Sequence, residues 1–425
     1  MKRRDAWIRF AIVQVVFIAA LGVAFARLSS TESKIFNSQF VRTSYLPTVN
    51  ITRKTPLVIE PFYNDPQVVT DEELAQVLMK IRPKFAARHL KPNYVEHALR
   101  AWSVHAEFQD PEIMSGAAML DFLTDHGKYI ASWGNETKPL LQEKEKGVAI
   151  RWESKIDASV HHDHWLACLT EAGVSLDQPV FTPTRRDMTI NDVLQQALRD
   201  FRPDEREVEW SAMAFGLWLA PDNHWKTTNH RQLNFDLLAK RLMRGDQKFG
   251  VCSGTHRVYS LMLLWRLNDE NSDSNHPPML SPAMQDAVYA HLESIRDKIK
   301  VSQFADGHWS SDWSRGADAV KTPIEDDEYK QVIATGHHLE WLAIAPKELH
   351  PPHHQIIKAA KWIIKNTTES SDEKILKSYT FYSHVGNALA LWRNTHPSKF
   401  WKSWQQQHPF QKAVSKPQTI VPPAP

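Results

Sequence analysis

The chain of 425 residues is 42% hydrophobic and 24% charged, which supplies enough apolar sequence for a large core in one or two domains. Lysine and arginine together number 51 against 49 acidic residues, so no overall electric field favours an acidic partner, and we exclude nucleic-acid binding. The 16 tryptophans and 21 histidines, set against 14 glycines, indicate a large core or a ligand cavity lined by aromatic faces.

The N-terminus has the pattern of an export segment. Basic residues at positions 2–4 precede an apolar run over 11–26, an arrangement that places the basic flank in the cytoplasm. The run ends in a small-x-small motif at Ala26, so residues 1–30 are either a signal peptide cleaved after Ala26 or a retained signal anchor. Both alternatives place the folded part outside the cytoplasm, either secreted or held at the cell membrane by a single pass.

Three regions of different composition follow this segment. Residues 31–68 are polar and lack sustained periodicity, which predicts an extended tether. Residues 69–406 form the folded domain, and 407–425 end in a Pro-rich run that predicts a disordered tail. A short hairpin is predicted within 128–155, with residues 129–133 and 148–152 as its strands. Helical periodicity and Pro or Gly punctuation predict helices over 71–82, 92–108, 112–125, 157–173, 189–201, 205–219, 232–244, 253–268, 281–299, 328–345, 353–366, 382–394 and 398–406.

The predicted helices are of two kinds. Amphipathic helices such as 189–201 and 281–299 have one charged face, whereas 208–219 and 258–267 are apolar nearly all round. Their alternation at a spacing of about 45–50 residues favours an array of helix pairs, and helices buried on every side favour closure of that array. The sequence therefore predicts an all-α fold, an α/α toroid in which about six helical hairpins surround a central cavity, behind an N-terminal membrane segment.

Ionisable residues stand next to the apolar runs of five predicted inner helices. Because inner helices of a toroid run parallel, these residues should meet at one rim, where burial would shift their pKa values toward those needed for acid–base chemistry. Glu209 and His256 are the leading acid and base candidates, and His337 and Glu340 are candidates for positioning a substrate. His161 and Asp163 complete the predicted catalytic set at this rim.

A metal centre is a second interpretation of the same rim. Cys252 and His256 are four residues apart and share a helix face, and His384 is a further candidate ligand, so zinc is the cofactor to test. The alternative is that Cys252 and Cys168 are packed thiols or form one disulfide bridge. The sequence contains no CxxC pair and no HExxH helix, so it lacks the common zinc motifs. It also contains no Gly-rich phosphate loop and no GxSxG motif, which argues against nucleotide chemistry.

The stretch Gln303-Phe-Ala-Asp-Gly-His-Trp309 resembles the Q…GxW motif of the squalene–hopene cyclase and protein prenyltransferase superfamily. The resemblance implies an α/α toroid over roughly residues 70–405 and says little about the substrate. Within it, His384 is similar to the zinc histidine of the prenyltransferases, whereas Gly250 stands at the position of their zinc aspartate. The nearest counterpart of the cyclases' DxDD acid motif is 324–327, Ile-Glu-Asp-Asp.

Three functions remain open at this stage. The first is an exported, terpenoid cyclase-like toroid with acid–base chemistry at the rim and a small or lipid-like ligand in its cavity. The second is a lyase, hydrolase or epimerase that acts on an extracellular glycan. The third is a non-catalytic binding or scaffold module of the cell envelope, so the sequence does not decide whether the protein is an enzyme.

Overall fold

The computed structural model describes residues 2–26, 46–245, 250–270 and 278–409. The chain is mostly helical (56% helix), with three short two-stranded antiparallel sheets among these residues. It divides into two compact units, Met1–Pro47 and Thr48–Pro425. The first unit contains helix α1, Lys2–Ala26. A search of the described residues found no helix with the length and apolar content needed to cross a membrane.

The second unit contains the remaining helices and all the strands. Along the described chain they are α2 Asp71–Lys80, α3 Pro92–Trp102, α4 Gly116–Thr124, α5 His126–Trp133, β1 Leu141–Lys144, β2 Gly147–Ile150, α6 His164–Glu171, β3 Pro179–Val180, β4 Met188–Thr189, α7 Ile190–Asp200, α8 Glu209–Leu219, β5 His224–Lys226, β6 Gln232–Asn234, α9 Phe235–Met243, α10 Thr255–Glu270, α11 Pro282–Ser302, α12 Ala317–Lys321, α13 Glu328–Ala343, α14 His353–Glu369, α15 Asp372–Lys377, α16 Tyr379–Leu391 and α17 Pro397–Gln407.

Each of the predicted helices between 71 and 406 has a counterpart, with ends displaced by a few residues. The largest displacement is at α6, which begins at His164 rather than 157 because Asp163 has a left-handed backbone (φ 56°). The predicted hairpin is β1–β2, in which Leu141 pairs with Ile150. Residues 126–133 form α5 instead of a strand, because the Asp125 side chain caps the helix through a 2.7 Å bond from the Gly127 amide.

Six helices contact one another in a closed sequence, and we call them the ring helices. In order they are α3, α6, α8, α10, α13 and α16, and α16 contacts α3 again. Every residue of α8, over Glu209–Leu219, is buried. Other helices pack outside them: α9 and α11 contact α10, and α14 contacts α13. The amphipathic helices thus cover ring helices that have no polar face for solvent, which is the arrangement their two hydrophobic patterns demand.

An extended segment over residues 49–65, the N-terminal strap, lies across the C-terminal ends of three ring helices. The Leu57 amide donates to the Leu217 carbonyl of α8 (3.0 Å), and the Asp65 amide donates to the Trp392 carbonyl after α16 (2.8 Å). The strap thereby satisfies carbonyls that have no partner within their own helices. Residues 48–68, part of the predicted tether, are therefore extended but belong to the compact unit; residues 31–45 and the tail from 410 lie outside the described residues.

The Q…GxW-like stretch ties α11 to α14. The Gln303 side-chain amide donates to the Gly307 carbonyl (2.8 Å) and to the Gln355 carbonyl in α14 (2.7 Å). Gly307 has φ +112° and its α-carbon faces the backbone of α14, so a side chain there would collide. Trp309 is fully buried and its indole N–H donates to the Ile299 carbonyl of α11 (2.8 Å). The Q…GxW-like stretch thus joins α11 to α14.

Candidate functional site

Five histidines from five ring helices form a continuous buried group, which we call the histidine cluster. His164 of α6 lies 4.5 Å from His97 of α3, measured between ring centroids, and His97 lies 5.3 Å from His384 of α16. His384 lies 4.0 Å from His337 of α13, and His337 lies 4.5 Å from His256 of α10. None is more than 7% exposed. The sequence predicts an aromatic cavity at this position, whereas the space between the ring helices is rich in imidazoles.

The histidine cluster is uncharged at neutral pH. Burial lowers the pKa of His97, His164, His256 and His384 well below the usual value, and it lowers the pKa of His337 to about 4. Neighbouring imidazoles and Arg100 add to the effect, because a second positive charge nearby is unfavourable. Neutral imidazole is the form that binds metal ions, so the cluster is suited to that task. The lowered pKa values make the same rings weak proton acceptors.

His256 and His337 face each other through the same ring atoms. Their Nε2 atoms are 2.9 Å apart. The Nδ1 atom of His337 donates to the Ile333 carbonyl one turn earlier (2.8 Å), which leaves its Nε2 lone pair directed at His256. Nδ1 of His256 is buried and has no hydrogen-bond partner among the described residues. Trp210 packs against the His256 ring at a centroid distance of 4.2 Å, so this face of the buried pair is covered by an indole.

A second group of buried polar side chains, the polar layer, lies one helical turn along from the histidines. Arg100 donates to Glu340 Oε1 (2.8 Å) and also forms an ion pair with Glu171. The Tyr259 hydroxyl donates to Glu171 Oε1 (2.7 Å), and the Asn387 amide donates to Glu340 Oε1 (2.7 Å). Burial opposes the charge on Arg100, but the two carboxylates outweigh it and raise its pKa well above the usual value. The polar layer therefore holds one guanidinium between two carboxylates, of which Glu340 is buried and Glu171 is partly buried.

His384 joins the two groups. Its Nδ1 atom lies 2.9 Å from Arg100 Nη1 and 3.1 Å from Glu340 Oε2. A guanidinium only donates, so Arg100 favours a lone pair on Nδ1 and a proton on Nε2. With the proton on Nδ1 instead, the ring donates to the Glu340 carboxylate and its Nε2 lone pair is available, as in carboxylate–histidine–metal arrangements. Nε2 is buried and has no hydrogen-bond partner among the described residues. The arrangement thus leaves a ligand atom of His384 unsatisfied inside the protein.

Cys252 lies on a strained turn immediately before α10. Cys252 (φ 49°), Ser253 (φ 58°) and Gly254 (φ 81°) are three successive left-handed residues, a conformation unfavourable for the first two. The Thr255 hydroxyl donates to the Cys252 carbonyl (2.7 Å), and the Trp313 indole N–H donates to the Ser253 carbonyl (3.0 Å), which hold the turn in place. Burial chiefly raises the pKa of the Cys252 thiol to about 12, and nearby carboxylates add to this.

Two overlapping sets of side chains have the chemistry and spacing of metal ligands. Cys252, His256 and His337 form one set, and His337, Glu340 and His384 form the other. Within each set the ligand atoms all lie within 4.8 Å of one another. The structure thus brings together five residues that the sequence predicts for the rim. However, α13 begins at Glu328, so His337 and Glu340 lie in the second half of the helix and not at its N-terminal end as predicted.

The other predicted site residues lie next to the histidine cluster with their own partners. Glu209 is buried, and its carboxylate accepts from Arg257 Nε (3.0 Å) and from the Val208 amide (2.8 Å), so it is part of an ion pair. Asp163 accepts from the Ser211 hydroxyl (2.5 Å). His161 lies 2.6 Å from Glu207 and stacks on Trp210. His161 and Asp163 both line a pocket of about 300 Å³.

The two cysteines are free. Cys168 is fully buried, and its sulfur lies 3.2 Å from Nε2 of His164. Cys252 is partly exposed, on a different part of the cluster. The structure therefore contains no disulfide bridge between Cys168 and Cys252, and Cys168 is a packed thiol, as the other alternative predicts.

Sequence reasoning missed the contribution of α3 and the polar layer. A signal for both is present as a recurring His-x-x-polar spacing on four ring helices: His97 with Arg100, His256 with Tyr259, His337 with Glu340, and His384 with Asn387. Residues three apart lie on one helix face, so each helix supplies one imidazole and one polar group to the same interior. Recognising this repeat would have placed Arg100 at the site.

The chain matches no family model, no curated protein and no solved structure. Kinship with the terpenoid cyclases and prenyltransferases therefore stays a prediction. Asp326, in the counterpart of the cyclases' acid motif, accepts from the Ser311 amide (2.8 Å) and hydroxyl (2.7 Å) and fixes a loop. His384, the counterpart of the prenyltransferase zinc histidine, belongs to the histidine cluster.

Proposed function

We propose that the second unit is an α/α toroid. The closed sequence of contacts among the six ring helices supports this, as does the packing of amphipathic helices outside them. The two layers supply a directional argument. In four ring helices the histidine precedes its polar partner by three residues, and the histidines contact histidines while Arg100 contacts Glu340. Helices that reach both layers in the same order run in the same direction, as the inner helices of a toroid do.

We propose that this protein binds one divalent transition-metal ion, with zinc the first candidate, at the histidine cluster. The observation that carries the proposal is the convergence of Cys252, His256 and His337. Tetrahedral zinc with Zn–N bonds of about 2.0–2.1 Å separates its nitrogen ligands by roughly 3.3 Å. The 2.9 Å between the two Nε2 atoms is close to this separation. A cysteine thiolate and neutral imidazoles are also the donor types that zinc prefers, so the residues fit the ion when Cys252 releases its proton on binding.

The residues around the cluster determine what such a site would do. A bound zinc ion supplies Lewis-acid chemistry and lowers the pKa of a coordinated water. Glu340 is held by Arg100 and Asn387, so its carboxylate is fixed in position to orient His384. Burial raises the pKa of Glu207, but its hydrogen bond from His161 outweighs this and the net pKa is lowered. The His161–Glu207 pair thereby provides an ionised carboxylate and an imidazole for moving protons near Cys252.

The function that follows is metal-assisted acid–base chemistry on a substrate that approaches from the Cys252 side of the ring. We also propose that residues 1–30 direct export of the unit across the membrane. Cell fractionation combined with N-terminal sequencing of the purified protein tests the second proposal, since recovery of the protein in the cytoplasm with an intact N-terminus would contradict it.

Metal content of the full chain tests the first proposal, and two adjacent histidines provide a matched pair of variants. His337 and His338 are both buried in α13, but the His338 ring contacts Trp309 and Trp313 away from the ligand sets. We expect near-stoichiometric zinc in the wild type and in His338→Gln, and loss of zinc in His337→Gln and Cys252→Ala. Equal zinc loss from both histidine variants would indicate a folding effect, and a wild type without zinc after loading would refute the proposal.

A further inference from the structure

Trp152 is the basis of a second site. Ten tryptophans of the chain are almost completely buried, whereas Trp152 is 52% exposed although it lies inside the compact unit. Its backbone is fixed by a bridge to Ser159, where the Glu153 amide donates to the Ser159 carbonyl (2.9 Å). The preceding residue, Arg151, donates to the Tyr129 hydroxyl (2.9 Å) and the Pro139 carbonyl (3.2 Å). The backbone that carries this exposed indole is thus held in place by its neighbours.

The exposed indole forms one wall of a pocket of about 300 Å³, which we call the Trp152 pocket. This volume is at the lower end for small-molecule sites. Apart from Trp152 its lining is a mixture of apolar and polar side chains, and His162 approaches the indole edge-on at a centroid distance of 5.5 Å. The remaining polar side chains of the lining are Gln142, Lys144, Arg151, His161, Asp163, Gln196 and Asp200.

The polar lining is positioned before any ligand arrives. Nε2 of Gln196 donates to Asp200 Oδ2 (2.7 Å), and Arg199 donates to Gln196 Oε1 (3.0 Å). His162 lies 2.9 Å from Glu205 and 3.3 Å from Asp163. Burial lowers the pKa of His162, but these two carboxylates outweigh it and raise the pKa to about 11, so the ring is cationic and donates only. The pocket therefore offers fixed donors and fixed acceptors around one aromatic face.

The Trp152 pocket is adjacent to the histidine cluster. His161 lines the pocket and stacks on Trp210 at 5.9 Å between ring centroids. Trp210 in turn lies 4.2 Å from His256. The His161 imidazole and the Trp210 indole thus lie between the pocket and His256, one of the proposed metal ligands.

We propose that the Trp152 pocket binds a sugar residue of a neutral oligosaccharide. The apolar C–H face of a pyranose stacks on an indole, while its hydroxyls both donate and accept hydrogen bonds, which matches a lining of amides, carboxylates and an imidazolium. Two observations disfavour other ligands. Asp163 and Asp200 offset part of the positive charge of Lys144, Arg151 and His162, so the lining has no uniform positive charge for a phosphate or a sulfate, and its polar groups disfavour a lipid chain. As a substrate class for the metal-assisted site, this inference rests on the proposed function; as a binding site, it stands alone.

Direct binding to the full chain in the presence of a chelator tests the inference independently of the metal. The probes are short cello-, malto-, manno-, xylo- and chito-oligosaccharides, with adenosine and guanosine as aromatic competitors, measured by saturation-transfer NMR and titration calorimetry. We expect at least one oligosaccharide to bind, Trp152→Ala to weaken it about tenfold or more, and Trp152→Phe to weaken it less. Phe62→Ala is the matched control, because Phe62 is 51% exposed elsewhere on the unit.

Three results would overturn the inference. They are the failure of every oligosaccharide to bind, unchanged binding by Trp152→Ala, and binding of the nucleosides at Trp152 without any sugar. Zinc content measured on the same preparations before the chelator is added separates this inference from the proposed function. Sugar binding by a protein that takes up no zinc refutes only the metal site, and zinc uptake without sugar binding refutes only the Trp152 pocket.

Discussion

The two ends of the ring helices differ in the groups that lie there. At the end where α8, α13 and α16 finish, the N-terminal strap supplies donors to their carbonyls, and Tyr63 adds a hydrogen bond to the Ala345 carbonyl (2.7 Å). At the end where α6, α8 and α10 begin lie the Cys252 turn, His161 and the Trp152 pocket. Helix N-termini carry partial positive charge and free N–H groups, which favour carboxylates and neutral imidazoles. Backbone hydrogen bonds from the strap cover one end of the ring helices, and the polar side chains of the candidate site lie at the other end.

The largest effect expected is on the polar layer, which links the two ends. Arg100→Met leaves the buried Glu340 carboxylate and the partly buried Glu171 carboxylate without their cation, so we expect the free energy of unfolding to fall by about 3–5 kcal/mol. Urea unfolding of the full chain measures this. Arg202→Met is the control, because its pair with Asp204 is exposed and contributes less than about 1 kcal/mol. Equal losses from both variants would contradict the role of the polar layer.

The strap end should affect stability without affecting the metal. Tyr63 stacks on Trp392 at 5.2 Å between ring centroids, and removing its ring and hydroxyl by Tyr63→Ala should lower the free energy of unfolding by about 2–3 kcal/mol. Phe62→Ala, at an exposed neighbouring position, should cost less. Zinc content should stay the same in both variants. Zinc loss from folded Tyr63→Ala protein would show that the two ends are not separate.

The pocket end should show a pH dependence that the strap end lacks. The pKa of His162 is raised from 6.5 to about 11 in the folded chain by Asp163 and Glu205, so its stabilising contribution is fully present below pH 6.5 and is lost as pH rises toward 11. We expect His162→Gln to lower the free energy of unfolding by about 1.5–3 kcal/mol near pH 6. The difference from wild type should shrink as the pH rises. Thermal unfolding at several pH values measures it, and a pH-independent difference would count against the ion pairs.

The smallest expected effect concerns the Cys252 turn. Ser253 has φ 58°, a conformation that glycine adopts without strain, and its hydrogen bond to Trp313 uses the backbone carbonyl. Ser253→Gly should therefore raise the free energy of unfolding by about 0.5–1 kcal/mol. Ser403→Gly, in the middle of α17, should lower it by a similar amount. Calorimetric melting of both variants tests the sign, and destabilisation by both would mean that the turn is not strained.

Local pattern was sufficient for most helices, and local competition explains the exceptions. The helix predicted at 71–82 occurs as Asp71–Lys80, because Thr70 and Glu73 form a capping box that any chain with this sequence can form. Residues 128–133 have aromatic and β-branched residues typical of a strand, yet the Asp125 cap places them in α5. A cap satisfies backbone donors immediately, whereas a strand needs a distant partner that the sequence does not name.

The site divides in the same way. The sequence by itself determined that imidazoles and carboxylates stand beside apolar runs at His256, His337, Glu340 and His384, because hydrophobic periodicity is a local property. Only the tertiary structure decided their partners. Arg100 reaches Glu340 across 240 positions of sequence, and Arg257 occupies the Glu209 carboxylate that the sequence left available as an acid. The pairing of acidic with basic side chains depends on the order in which helices pack around the ring, and no local sequence pattern encodes that order.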